Sequence, residues 1–361
     1  MLQSVRIIEI EGIGPGPFAA MTLADLGAEV ITIHRKDAPE ARAAQSANPL
    51  DRGKRSITLD LKDPADLEVA KKLIASADGL IEGMRPGVME RLGLGPEEMR
   101  AANPRLVYGR MTGWGQTGPR AKLAGHDLNY IGLSGALWYA SLPGQPPMTP
   151  ATLVGDIGGG ALYLVIGMLT ALMRAKETGQ GSVVDAAIVD GSAHMMNLLM
   201  SMASVGGTVT ERGQSRLDGP HWSRSYRCAD GGFIAVQALE AKFYAIFLDR
   251  LGLSEDPDFL RQNDKALWPD LSARLEAIFA TEPRDHWAAL FDGLDACVAP
   301  VLPPVQSVAD PHIAARGIWH GEGEDLQAAA APRFDGATPA APARPAERGA
   351  DSAAIRAELG L

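Results

Sequence analysis

Two residues in this chain stand where a proton could be moved. His126 follows Gly125 and opens the stretch HDLNYIGLSGALWY; Asp156 follows Gly155 and opens DIGGGALYLVIGMLTALMRA. Each lies beside glycine at the head of an apolar stretch with helical spacing. A helix start presents free backbone N–H groups and a partial positive charge, a setting suited to an anion. A histidine, a carboxylate and an anion hole together suit chemistry that makes and collapses an enolate. Taken singly, both have plainer readings: His126 as a hydrogen-bonded core histidine, Asp156 as a helix cap. Glu240, in QALEAKF, is a further carboxylate, placed where a strand gives way to a helix. The other histidines lack such glycine flanks, and the chain has no Gly-x-Ser-x-Gly elbow and no Walker loop. Cys228 and Cys297 sit in no metal-ligand or redox spacing, so no metal is expected and both thiols read as reduced and buried.

The elements that must hold these residues follow an alternating α and β pattern. Residues 5–9 (VRIIE) read as a strand, 12–17 (GIGPGP) as a glycine turn, 18–26 as a helix and 29–33 (EVITI) as the next strand. That is a βαβ unit, and the pattern continues through strands near 56–61, 79–82 and 105–110. A doubly wound domain is expected over residues 1–190. The apolar run 160–173 is shorter than the roughly 20 residues of a membrane span, so a buried core helix is expected. Residues 191–225 read as an apolar helix, roughly 189–205, and then a polar linker. A small α/β domain follows over 226–320, and 321–361 reads as a Pro- and Ala-rich arm. Met195, Met196, Met200 and Met202 line the 189–205 helix, as core or as a pliable surface for a variable apolar chain.

The chain has 361 residues, 46% apolar and 22% charged, with a net charge of −10. This is ordinary for a globular protein, and the acidic balance argues against nucleic acid or an anionic membrane as partner. The start, MLQSVRIIEI, has no signal-peptide pattern, so a cytoplasmic protein is expected. GIGPGP falls short of a dinucleotide fingerprint, because Pro17 replaces the third glycine and no acidic residue ends the next strand. Basic residues do gather at strand ends: Arg35, Lys36, Lys54, Arg55, Lys62, Arg85 and Arg91. In an acidic protein such a group suggests a ligand with several phosphates.

Seven stretches carry a more specific resemblance: 11–30, 80–98, 105–131 (RLVYGRMTGWGQTGPRAKLAGHDLNYI), 153–160 (LVGDIGGG), 179–192, 229–244 and 295–302. Over nearly its full length the chain resembles the α-methylacyl-CoA racemases, within the family III CoA-transferase superfamily. The resemblance implies a large Rossmann-like domain and a small α/β domain joined by long linkers, in an interlocked homodimer with sites shared between chains. It implies inversion of C2 in a 2-methyl-branched acyl-CoA through an enolate, in branched-lipid metabolism. No cofactor is implied, coenzyme A being part of the substrate. His126 would serve the S face and Asp156 the R face; Glu240 of the partner subunit would orient His126; the Asp127 N–H would face the thioester oxygen. Arg35, Leu59, Asp60, Leu61, Lys62, Gly83, Arg85 and Arg91 fall on segments that hold the nucleotide and pyrophosphate. Met84 stands where the family has an aromatic. The rival readings are a CoA-transferase with Asp156 as nucleophile, a CoA-ester binding protein without catalysis, and, more distantly, a nicotinamide oxidoreductase.

Overall fold

The computed structural model describes residues 1–36 and 48–361. The chain divides into two compact units: Met1–Ala136 with Pro150–Met195 and His312–Leu361, and Leu137–Thr149 with Met196–Pro311.

The first unit is built on six parallel strands: β1 (Arg6–Ile10), β2 (Glu29–Arg35), β3 (Lys54–Leu59), β4 (Gly79–Glu82), β5 (Val107–Thr112) and β6 (Val183–Ala187). Their order is β3-β2-β1-β4-β5-β6, the doubly wound order expected from the alternating pattern. The strands are runs of Ile, Val and Leu because helices cover both faces. On one face lie α1 (Pro15–Asp25) and α6 (Leu162–Thr178), which place Leu23, Leu164 and Met168 fully out of solvent. On the other lies α2 (Pro64–Ala75), with Leu73 and Ile74 buried and Asp63 capping its first amides. Short helices α3 (Val88–Arg91) and α4 (Pro96–Ala102) follow β4. Between β5 and β6 come α5 (Asp127–Ser134), a π-helical segment (Leu153–Ala161) and α6; α7 (Ile188–Met195) follows β6.

The π-helical segment and α6 form one run, Leu153–Thr178, of 26 residues. That is longer than the apolar stretch suggested, and long and apolar enough to cross a membrane. In this fold it is a core helix: it packs on α1, β5 and β6.

The C-terminal arm is ordered along β3. Ser56 exchanges hydrogen bonds with Asp351, through Asp351 N–H to Ser56 O (3.0 Å) and Ser56 N–H to Asp351 Oδ2 (2.8 Å). A last helix, Ser352–Glu358, buries Ile355, despite the proline content before it. Lys54 and Arg55 begin β3 rather than ending it, which corrects their place in the basic group. Lys54 is buried on Glu9 (2.7 Å), and Arg55 pairs with Glu29 and Glu358 (each 2.7 Å).

The second unit has an antiparallel sheet of β7 (Ser223–Arg227), β8 (Phe233–Gln237) and β9 (Val298–Val301). Helices α9 (Ala241–Arg250), α10 (Trp268–Phe279) and α11 (Arg284–Phe291) share its core; α8 (Asn197–Ala203) stands ahead of the sheet. Residues 206–225 do more than link. Trp222 and His221 are fully buried, and 223–227 form an edge strand. Two aromatic rings in a polar stretch carry no periodicity, which is why the composition misled. Leu137–Thr149 also belongs to this unit: Arg212 donates to the carbonyls of Ala140, Leu142 and Gln145. Cys228 is buried, whereas Cys297 is exposed, against the expectation of two buried thiols.

Candidate active site

A cleft of about 430 Å³ opens in the first unit at the carboxyl ends of β1, β4 and β5. It lies where the strand order reverses, between β1 and β4, the usual ligand crevice of an open α/β sheet. Its walls include the loop after β1 (Gly12, Ile13, Gly14), Gly83 and Arg85 after β4, and Gly113 and Trp114 after β5. His126 and Asp156 both line it. They stand 30 residues apart in sequence and reach one cavity because α5 and the π-helical segment pack together.

His126 occupies the cap position of α5 and is exposed to the cleft, so it is no core histidine. Its backbone N–H donates to Asn129 Oδ1 (3.0 Å). Among the described residues no hydrogen bond is made by its ring. Tyr130, one turn on, supports the loop from below: its hydroxyl donates to Gly125 O, and its ring meets Trp114 edge-on at 4.7 Å. A Cβ at Gly113 would stand 1.9 Å from that ring, so only glycine fits. The sequence reading passed over Tyr130; its spacing of four from His126 on a short helix is the sole sign of it. The Asp127 N–H, at the first helical position, has no intrahelical acceptor.

Asp156 is half-buried in the first turn of the π-helical segment, with its carboxylate in the cleft wall. It does not cap a helix. The buried Asp127 side chain does that work, its Oδ1 accepting the N–H groups of Gly155 (2.9 Å) and Asp156 (2.8 Å). Burial, then the Asp127 charge, push the Asp156 carboxyl up to about 6, with His126 acting in the opposite sense. A carboxyl tuned toward neutral pH can both take and return a proton. Burial, and then the charge of Asp156, also raise the Tyr130 phenol, against Arg85.

The loop ahead of α1 is held from the far end of the chain. Arg348 donates both of its terminal nitrogens to Glu11 (2.8 Å each), and Glu11 also accepts the Arg35 N–H (2.8 Å). Burial would raise the Glu11 carboxyl, but His34 and Arg348 outweigh it and hold it well below the usual range.

Of the expected nucleotide-binding residues, Gly83 and Arg85 line the cleft. Arg35, Lys62 and Arg91 are exposed near the carboxyl ends of β2, β3 and β4. Asp60 is bound into its own turn, accepting the Lys62 N–H (3.0 Å) and donating its N–H to Asp66 (3.0 Å). Leu61 is half-buried beside it, and Leu59 is in the core, so Leu59 offers no side chain to a ligand. Glu240 is exposed at the cap of α9 in the second unit. The methionine-bearing helix is interrupted at Met196, between α7 and α8, with Met195 and Met200 exposed. No group of three or more His, Cys, Asp or Glu side chains that could hold a metal occurs among the described residues.

A parallel α/β sheet with a histidine and a carboxylate in its crevice is a common frame for small-molecule enzymes, and comparison narrows it. The chain belongs to CoA-transferase family III, whose model matches residues 2–352. It is 40% identical to alpha-methylacyl-CoA racemase of Mus musculus over 344 residues, covering 95% of this chain and 88% of that one. Against alpha-methylacyl-CoA racemase of Homo sapiens it is 40% identical over 336 residues, 92% and 86% of the two chains. The crystal structure of a CAIB/BAIF family protein from Brucella suis superposes with a TM-score of 0.83 at 28% identity, covering 99% of this chain and 98% of that one.

Proposed function

We propose that the protein is a racemase that inverts C2 of 2-methyl-branched acyl-CoA thioesters. The observation that carries this reading is the pair His126 and Asp156 in one crevice, with Asp156 tuned to about 6. Inversion needs a base on each side of the carbon, because a single base tends to return the proton to the face it came from. His126 acts on the S enantiomer and Asp156 on the R enantiomer. The thioester delocalises the enolate charge, so the reaction calls for no metal or redox cofactor. The free Asp127 N–H serves as a donor to the enolate oxygen. Arg85 at the cleft wall, with Arg35, Lys62 and Arg91 beyond it, holds the phosphates of coenzyme A; Gly83, Leu59, Asp60 and Leu61 supply the surrounding backbone.

The site is completed in a homodimer. The partner's Glu240 orients the His126 ring, which explains why that ring is unheld within its own chain. A row of exposed apolar side chains on α6, Leu162, Ile166 and Met173, continues to Val183 on the edge strand β6, a surface suited to a second copy.

The rival is acyl-CoA transfer with Asp156 as nucleophile. Transfer needs only Asp156 and leaves His126, which lines the same crevice, without a role. The two readings part in deuterated water with one enantiomer of a 2-methylacyl-CoA. Racemisation places solvent deuterium at C2 as optical activity is lost. Transfer leaves C2 protonated and passes CoA to an added carboxylic acid.

A further inference from the structure

Asp127 has a carboxylate as well as an N–H, and the structure puts that carboxylate under Asp156. One oxygen accepts both the Gly155 and the Asp156 N–H groups, at 2.9 and 2.8 Å. The other, Oδ2, is buried and has no hydrogen-bond partner among the described residues. A buried carboxylate oxygen without a donor is costly, and a chain that needed only a cap could use serine or asparagine. Room for the contact is built in: a Cβ at position 155 would stand 2.4 Å from Asp127 Oδ1. We propose that the Asp127 side chain is a positioning residue that aims the Asp156 carboxylate into the cleft and holds a second negative charge against it.

The groups around Asp156 single out this charge. From the α5 side come His126, Asp127 and Tyr130; across the cleft stand Arg85 and Glu11. The packed elements α1, β5, β6 and α7 carry Asp25, Arg110, Asp185, Asp190 and His194. Arg110 is taken by Glu82 and Glu90, Asp185 accepts the Gln116 N–H, and Asp25 pairs with Arg52. Among the described residues Asp127 and His126 shift the Asp156 carboxyl, in opposite senses. In the protonated acid the repulsion is absent, so Asp127 strengthens Asp156 as a base. The same residue thus joins the two halves of the site: its N–H faces the substrate and its carboxylate faces the base.

The inference rests on Asp156 being a base of the proposed reaction, and its test separates the two. Asp127→Asn keeps an oxygen for the two amides and removes the charge; Asp127→Ala removes both. The Asp156 carboxyl is followed by carbon NMR of aspartate-labelled protein, assigned with Asp156→Asn. In Asp127→Asn its midpoint falls by about one pH unit, the low end for a neighbouring charge. The acid limb of kcat for 2-methylacyl-CoA inversion moves to lower pH by the same amount. Asp127→Ala loses about 10²-fold in kcat even at the plateau, the cost of a misaimed group. An unchanged Asp156 midpoint in Asp127→Asn would overturn the proposal. If Asp127→Ala does not fold, Asp127→Asn decides alone. Should the wild type invert no acyl-CoA, the function reading fails while the NMR titration still judges this one.

Discussion

Two sets of carboxylates in the first unit differ in what faces them. Glu9, 1% exposed, meets Lys54 Nζ at 2.7 Å and the Thr32 hydroxyl at 2.7 Å. Glu82, fully buried, meets Arg110 Nε at 2.9 Å. Asp127 accepts the backbone amides of Gly155 and Asp156, and the Asp156 carboxylate meets the Asp127 charge rather than an Arg or Lys partner. The first set is neutralised and serves structure. The second sets two like charges together beside a cleft, an arrangement that raises the Asp156 carboxyl and suits the base proposed above. Where a fold leaves a buried charge opposed rather than paired, chemistry is the economical explanation.

The contrast can be broken from either side. Lys54→Met removes the cation and leaves Glu9 buried with its charge unpaired, which should cost about 3–5 kcal/mol in chemical denaturation. Gly155→Ala drives a methyl toward Asp127 Oδ1 (2.4 Å) and Ile131 (2.7 Å), so about 1–3 kcal/mol of stability should be lost, with activity falling too. Asp156→Asn should do the reverse of Lys54→Met. The folded-state carboxyl is raised from 3.8 to about 6, so its charged form disfavours the fold at high pH. Removing the charge should raise the melting temperature at pH 8. The gain should shrink as pH falls through 6 and vanish below 3.8, where the acid is neutral in both states. A gain equal at pH 3 and pH 8 would mean the charge is not the cause.

The fold was legible because periodicity reports burial: the strand runs at 5–9 and 29–33 and the turn GIGPGP map onto β1, β2 and the start of α1. His126 and Asp156 were legible by their glycine neighbours, which mark close approach. What could not be read was long-range pairing. Nothing local in 327–350 says that Arg348 clamps Glu11, 337 residues away. Nothing in KRSITL says that Lys54 is buried and Arg55 paired, because an ion pair lives in the partner's position, not in the residue's type. Trp222 and His221 were missed because two buried rings have no period.

The measurement that bears most directly on the account is stereospecific exchange in single-base variants. Each enantiomer of a 2-methylacyl-CoA is incubated in deuterated water with His126→Asn and with Asp156→Asn, and deuterium at C2 is followed by NMR. A base alone on one face can still remove and return a proton there. Asp156→Asn should therefore exchange the S enantiomer only, His126→Asn the R enantiomer only, and neither should invert at more than about 10⁻² to 10⁻⁴ of the wild-type rate. Exchange of both enantiomers by either variant, or CoA passing to an added acid with loss only in Asp156→Asn, would contradict the two-base site.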